Sequence, residues 1–235
     1  MANLRHALKR TGAEPGARPP HHHRLWQVLT AVEVVAASAA VLLDLLIPSL
    51  VLVAMALISL AVRRTGFSSL GFHASHDRLL VWKMLGFAAA WSVFQLAVTM
   101  PLANHLSGDT TDLSAYRDVQ GDVAVLLGWI ALSWTVGALL EETAYRGYLL
   151  TRMREVFGSG RVGLVVAVAA SSLLFGIAHT EQGVVGVVTI TLDAVAFSVV
   201  RYRCKTVWAS VLAHGFNNTI GFIAFFLVGP IHGLW

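Results

Sequence analysis

Charge is scarce in this chain. Aspartate, glutamate, lysine and arginine make up 13% of its 235 residues, about half the share found in an ordinary soluble domain. Hydrophobic residues make up 56%, so the chain has too little polar surface to cover itself and must take lipid as part of its solvent. Cysteine is nearly absent. The single Cys204 excludes an internal disulfide and any multi-cysteine metal cluster. The net charge of +4 does not point to nucleic acid, because the basic residues gather at the ends of apolar runs, where the positive-inside rule places them.

What the chain has is long apolar runs. A spanning helix needs about 20 such residues, and about seven segments read this way: 25–47, 49–62, 79–102, a fourth from 123, then 162–178, 184–200 and 207–228. The expected fold is an all-α, multi-pass transmembrane helical bundle of about seven spans (roughly six to eight), with an active site within the bundle. A single transmembrane domain over 25–235 would follow a disordered cytoplasmic leader over 1–24, basic through Arg5, Lys9, Arg10, Arg18 and Arg24. That leader does not read as a cleavable signal peptide, because the apolar run after it is too long. His21, His22 and His23 read as part of it rather than as a metal site. No internal repeat is apparent. Pro48 separates the first two runs and leaves open a broken or re-entrant pair. Residues 148–156 read as an interfacial stretch, with Arg152 and Arg154 near the headgroups. The leader, Arg63 and Arg64, the 152–161 basic residues and Arg201, Arg203 and Lys205 fall on one side if the N-terminus of this cell-membrane protein is cytoplasmic. The acidic loop 104–122 then lies outside.

One apolar run closes on Glu141, Glu142, Thr143, Ala144, Tyr145 and Arg146. A charge near the bilayer centre costs about 2.5–3.5 kcal/mol on insertion scales, so these ionisable groups need partners or a task. Glu142 and Arg146 are four apart, share a helical face and can pair. Glu141 points about 100° away on an α-helix, its carboxylate free. Taken alone, the trio reads equally well as a structural ion cluster. His179, four residues after Phe175, and His214, four before Asn218, lie in later apolar runs. A carboxylate, two imidazoles and an amide are the groups needed to hydrolyse an amide away from lipid. Glu141 could take a proton from a water that His179 helps to hold, while His214 and Asn218 could donate to the developing oxyanion. Glu142 and Arg146 would support the site from behind, and Gly137 and Ala138 would leave room for a substrate backbone. On the expected topology, however, Glu141 lies toward the cytoplasmic end of its helix and His179 at the far end of the next.

The ordered trio Glu141-Glu142-x-x-x-Arg146, Phe175-x-x-x-His179 and His214-x-x-x-Asn218 resembles the CPBP family, which comprises the type II CAAX prenyl proteases and their bacteriocin-processing and self-immunity relatives. The similarity spans about residues 123–228. It implies an intramembrane endopeptidase with Glu141 as catalytic base, His179 as its water partner, and His214 with Asn218 as oxyanion donors. Substrates would be membrane-associated peptides or proteins, prenylated or carrying a leader, reaching the site through the bilayer or its cytoplasmic face. The reading is metal-free, with no cofactor. The alternative is a zinc site from His179, His214 and Glu141, although H-E-x-x-H is absent. No G-x-S-G or G-x-G-D motif suggests another intramembrane protease type. The rival classes are a non-catalytic immunity factor that binds a toxin peptide, and a proton carrier relaying through Glu141, His179 and His214. Glu33, Asp44 and Asp193, each within an apolar run, read as paired or snorkelling, and His73 and His76 as solvated loop residues.

Overall fold

The computed structural model describes residues 20–234, so the first nineteen residues of the expected leader, and the side chains of His21, His22 and His23, lie outside the described residues. Five helices are long and apolar enough to cross a membrane, and two shorter apolar helices accompany them. In chain order they are α1 (Pro20–Leu42), α2 (Pro48–Arg63), α3 (Leu80–Ser107), α4 (Val123–Phe157), α5 (Arg161–Ile177), α6 (Gly183–Cys204) and α7 (Val207–Val228). No strand occurs among the described residues. The protein is a multi-pass helical bundle.

Helix boundaries follow local chemistry. Pro48 opens α2 at its first turn, where no backbone donor is needed. The α1–α2 turn before it uses left-handed backbone at Asp44 and Leu46. Asp44 is therefore an exposed turn residue and not a group inside the first span, as the apolar run had suggested. Asp122 caps α4, its carboxylate accepting from the N–H groups of Ala124 and Val125 at 2.8 and 3.1 Å. Thr206 caps α7 by accepting from Trp208 N–H, and its hydroxyl donates to the His73 carbonyl. Gly71, at a φ of +95°, lets the preceding loop lie against Arg201; a side-chain Cβ there would stand 3.0 Å from its guanidinium.

Two helices depart from α geometry. In α3, residues Gln95–Thr99 form a π turn ahead of Pro101. Proline has no N–H, so the Leu96 carbonyl five residues earlier lacks its π-type partner and accepts from Leu234 N–H instead, at 2.9 Å. In α4 the π geometry runs over Ser133–Leu149, through both glutamates. This helix continues unbroken to Phe157 and is 35 residues long. The separate interfacial stretch expected at 148–156 is the last part of this helix, and Arg152 is 3% exposed rather than among headgroups.

That continuity removes the depth conflict. Glu141 stands about 16 residues before the end of α4, and His179 about 18 residues after the start of α5, roughly 24 and 27 Å of helix. Since α4 and α5 are antiparallel and joined by a short turn, the two residues come level inside the bundle. The apolar core behind them joins α1, α2, α4 and α5 through residues such as Leu52, Leu149, Leu150 and Phe175. Large apolar side chains cover the outside, among them Val162, Trp82, Val35 and Leu227, as expected where lipid is the solvent. Glu33 is paired. It takes Arg63 at 3.0 Å and Arg152 at 3.1 Å, and tethers α1 to α2 and α4.

Candidate active site

The three motifs are built on three helices, each using a spacing of four. On α4, Glu142 and Arg146 form an ion pair at 2.9 Å, with side chains 0% and 2% exposed. Arg146 also lies over the Phe175 ring, 4.2 Å from its centre, which adds a cation–π contact to a buried guanidinium. On α5, the last turn leaves carbonyls without helical partners. His179, the residue after the helix cap, turns its ring back so that Nδ1 bonds the Phe175 carbonyl at 2.8 Å. A carbonyl only accepts, so Nδ1 carries a proton, and in the neutral ring Nε2 is the acceptor. On α7, His214 Nδ1 lies 2.9 Å from Glu142 Oε1. The Glu142 carboxylate thus holds a guanidinium and an imidazole together.

Phe175 sits at the centre of these contacts. Its ring meets Tyr145, His179 and His214 at 4.8, 4.9 and 6.2 Å between centroids. Phe197 of α6 stacks on His214 at 5.1 Å and 22°. Neither Phe197 nor Tyr145 was marked by any motif. Tyr145, between Glu142 and Arg146, could have been suspected from its place inside the charged segment, but Phe197 carries no sequence signal beyond lying four residues after Asp193.

Glu141, His179, His214 and Asn218 all line one cavity of about 470 Å³ inside the bundle. Asn218 has no hydrogen-bond partner among the described residues, whereas the adjacent Asn217 accepts from the Ser92 hydroxyl at 2.9 Å. A Cβ at Gly137 would stand 3.4 Å from Asn218 Nδ2, so this glycine admits the amide against the α4 backbone. Gly137 does line the cavity. Ala138 does not: it is buried against Val207 and Val211 and leaves no room for a substrate. Helices α3 and α6 add Gln95, Asp193 and Phe197 to the walls, beyond the fourth, fifth and seventh helices that carry the motifs.

The cavity reaches the end of the bundle formed by the 108–122 loop, the turn at Thr180–Gln182 and residues after Val228. The loop is held to the turn through Asp112 N–H to the Gln182 carbonyl, and to the end of α7 through Gly121 N–H to the Phe226 carbonyl. This is the end of the bundle away from Arg63, Arg152 and Arg201. Among the described residues, no group of three His, Cys, Asp or Glu side chains could hold a metal ion. His179, His214 and Glu141 as placed do not fit a three-ligand zinc site.

Residues 123–220 match the family described as Rce1-like, type II CAAX prenyl endopeptidase. Over this segment the chain is similar to the type II CAAX prenyl endopeptidases. No curated protein and no solved structure gives a match. The segment shared with the CAAX proteases covers α4, α5, α6 and most of α7, and so includes the three helices that carry the motifs. The family that this segment resembles is one of CAAX-type proteases, which are hydrolases.

Proposed function

We propose that the protein is an intramembrane endopeptidase that cleaves a peptide bond of a membrane-associated peptide or protein, using a water activated by Glu141. The observation that carries this reading is the convergence of Glu141, His179, His214 and Asn218 on one cavity inside the bundle. His179 Nε2, left as an acceptor by the bond from Nδ1 to Phe175, accepts a hydrogen bond from the water, whose second hydrogen stays on its oxygen. Glu141 takes the one transferred proton as the water oxygen attacks the scissile carbonyl. The oxyanion is met by Asn218 Nδ2 and by His214 Nε2. Because Nδ1–H of His214 is committed to Glu142, Nε2 donates only when the ring is an imidazolium, and Glu142 is its counter-charge. The C–N bond then breaks, and the amine nitrogen leaves with the proton held by Glu141. No step requires a metal or cofactor.

The test compares the membrane peptidome of cells carrying the wild type with that of cells carrying Glu141→Ala. A product that vanishes in the variant, at equal abundance and fold, names both reaction and client. If the biological effect survives Glu141→Gln unchanged, the cavity serves binding and the proposal falls.

A further inference from the structure

One carboxylate in the cavity has no part in the chemistry above. Asp193 of α6 lines the cavity one helical turn from Phe197, which stacks on His214. Its Oδ1 accepts from two α3 side chains, Trp91 Nε1 and Gln95 Nε2, the latter at 2.8 Å. Both are neutral donors, and both go to the same oxygen. Oδ2 has no donor among the described residues. A carboxylate accepts about four hydrogen bonds when satisfied, and one kept inside a membrane bundle with half its capacity unused marks a functional position. Trp91 and Gln95 fix the carboxylate plane and leave Oδ2 toward the cavity.

The approach to the cavity has the same sign. A second hollow adjoins it, walled by Asp109, Asp112 and Glu181, with Arg117 and His232 as its basic side chains. Thr111 lies at the junction and lines both spaces. It is 5% exposed, and its hydroxyl has no hydrogen-bond partner among the described residues. A vestibule lined with carboxylates raises the local concentration of cations, and it adjoins the cavity that Asp193 lines. Residues of the catalytic motifs do not supply this charge.

We propose that Asp193 is a specificity residue, whose free oxygen binds a lysine or arginine side chain of the substrate peptide after it passes the acidic vestibule. This rests on the endopeptidase reading and deepens it, by making the preferred client a peptide with a basic residue at a fixed distance from the scissile bond. The anchor is supplied by α3 as well as α6, so selectivity depends on a helix outside the matched family segment. A charged hydrogen bond in such a site changes affinity by about ten- to a hundredfold.

The experiment offers the purified wild type in lipid nanodiscs a library of N-acetylated peptides, with cleavage sites read by mass spectrometry. Lysine or arginine is expected at one fixed position among cleaved sequences, and replacing it by norleucine is expected to lower kcat/KM by tenfold or more. In Asp193→Asn, which retains an oxygen for Trp91 and Gln95, cleavage of the basic peptide falls to the level of the norleucine peptide. Library members with a free N-terminus separate side-chain recognition from capture of the terminal amine. A binding arm uses Glu141→Gln with the fluorescent basic peptide and its norleucine counterpart, with and without Asp193→Asn. If the wild type cleaves nothing while the Asp193-dependent difference in binding persists, the endopeptidase reading fails and this one stands. Absence of a basic preference, or the same preference in Asp193→Asn, overturns it.

Discussion

Glu142 holds Arg146 and His214 at once, and removing it one charge at a time separates its structural role from its functional one. Glu142 is 0% and Arg146 1% exposed, so neither can turn to water when its partner is lost. Leaving one buried charge uncompensated costs about 3–5 kcal/mol, whereas replacing both by apolar groups of similar volume is often neutral or stabilising. Glu142→Gln strands the Arg146 guanidinium and is expected to lose the full amount. In a chain of this size about 2–4 °C corresponds to each kcal/mol, giving a fall in Tm of roughly 6–20 °C. Arg146→Met is expected to cost less, because Glu142 keeps His214 as a partner at 2.9 Å. The double variant Glu142→Leu, Arg146→Met removes both charges and should return to within about 2 kcal/mol of the wild type. Its activity should not return. His214 has lost the acceptor for Nδ1–H and with it the counter-charge that lets Nε2 donate, a loss of about 10²-fold or more in kcat. Thermal unfolding followed by tryptophan fluorescence in one detergent, together with cleavage of a client peptide, reads both quantities. A double variant as unstable as Glu142→Gln would refute the ion-pair argument, and a stable double variant with full activity would refute the dependence of His214 on Glu142.

Three further outcomes follow from the same geometry. Glu141→Gln should reduce kcat by about 10²–10⁴-fold, the usual contribution of a general base, with Tm unchanged, since no hydrogen bond of Glu141 to the bundle would be lost; kinetics and melting on the same preparation decide this. Asn218→Ala should lower kcat by about 10²–10³-fold with little change in KM, as for an oxyanion donor, while Asn217→Ala should lose only the bond from Ser92, about 1 kcal/mol of stability; equal kinetic losses in the two would refute the assignment. Gly176→Ala should pry α5 from α6, because a Cβ there would lie 2.7 Å from the Val187 carbonyl and closer still to Thr191. A loss of about 1–3 kcal/mol is expected, read as a drop in Tm, and an unchanged Tm would show that the two helices are not in contact at this point.

The helical bundle was legible because spanning runs announce themselves by length and apolarity, and the helices at Val123, Val207 and Pro48 begin where Asp122, Thr206 and proline chemistry say they should. Where the reading failed, the cause was a local polar residue outweighing its context. Arg152 and Arg154 suggested headgroups, but Arg152 is paired within the bundle to Glu33 and Glu155, and pairing lets a charge stay inside. The resulting break in α4 made Glu141 appear too close to the membrane edge. With α4 continuous, the hairpin turn at Gly158 sets both Glu141 and His179 at similar distances along antiparallel helices, a consequence of counting that needs no tertiary information once the helix is drawn to its proper end.

The parts of the site that could be read are those anchored within their own helix. Glu142 binds Arg146 four residues on, and His179 binds the carbonyl of Phe175 four residues back. In each case the functional group and what orients it are encoded by one spacing. His214 and Asn218 share the spacing, although the partner of His214 is on α4. Phe197 and the Trp91–Gln95–Asp193 cluster have no such local anchor. Their partners are about a hundred residues away or on another helix face, and a single sequence has no period that links them. This division follows function as well as legibility. The helix-encoded groups are those that any amide hydrolysis would need at the reacting bond. On the proposed function, the groups assembled across α3 and α6 would surround the rest of the peptide, where one client differs from another, so a chain could keep the first set and change the second without disturbing the chemistry.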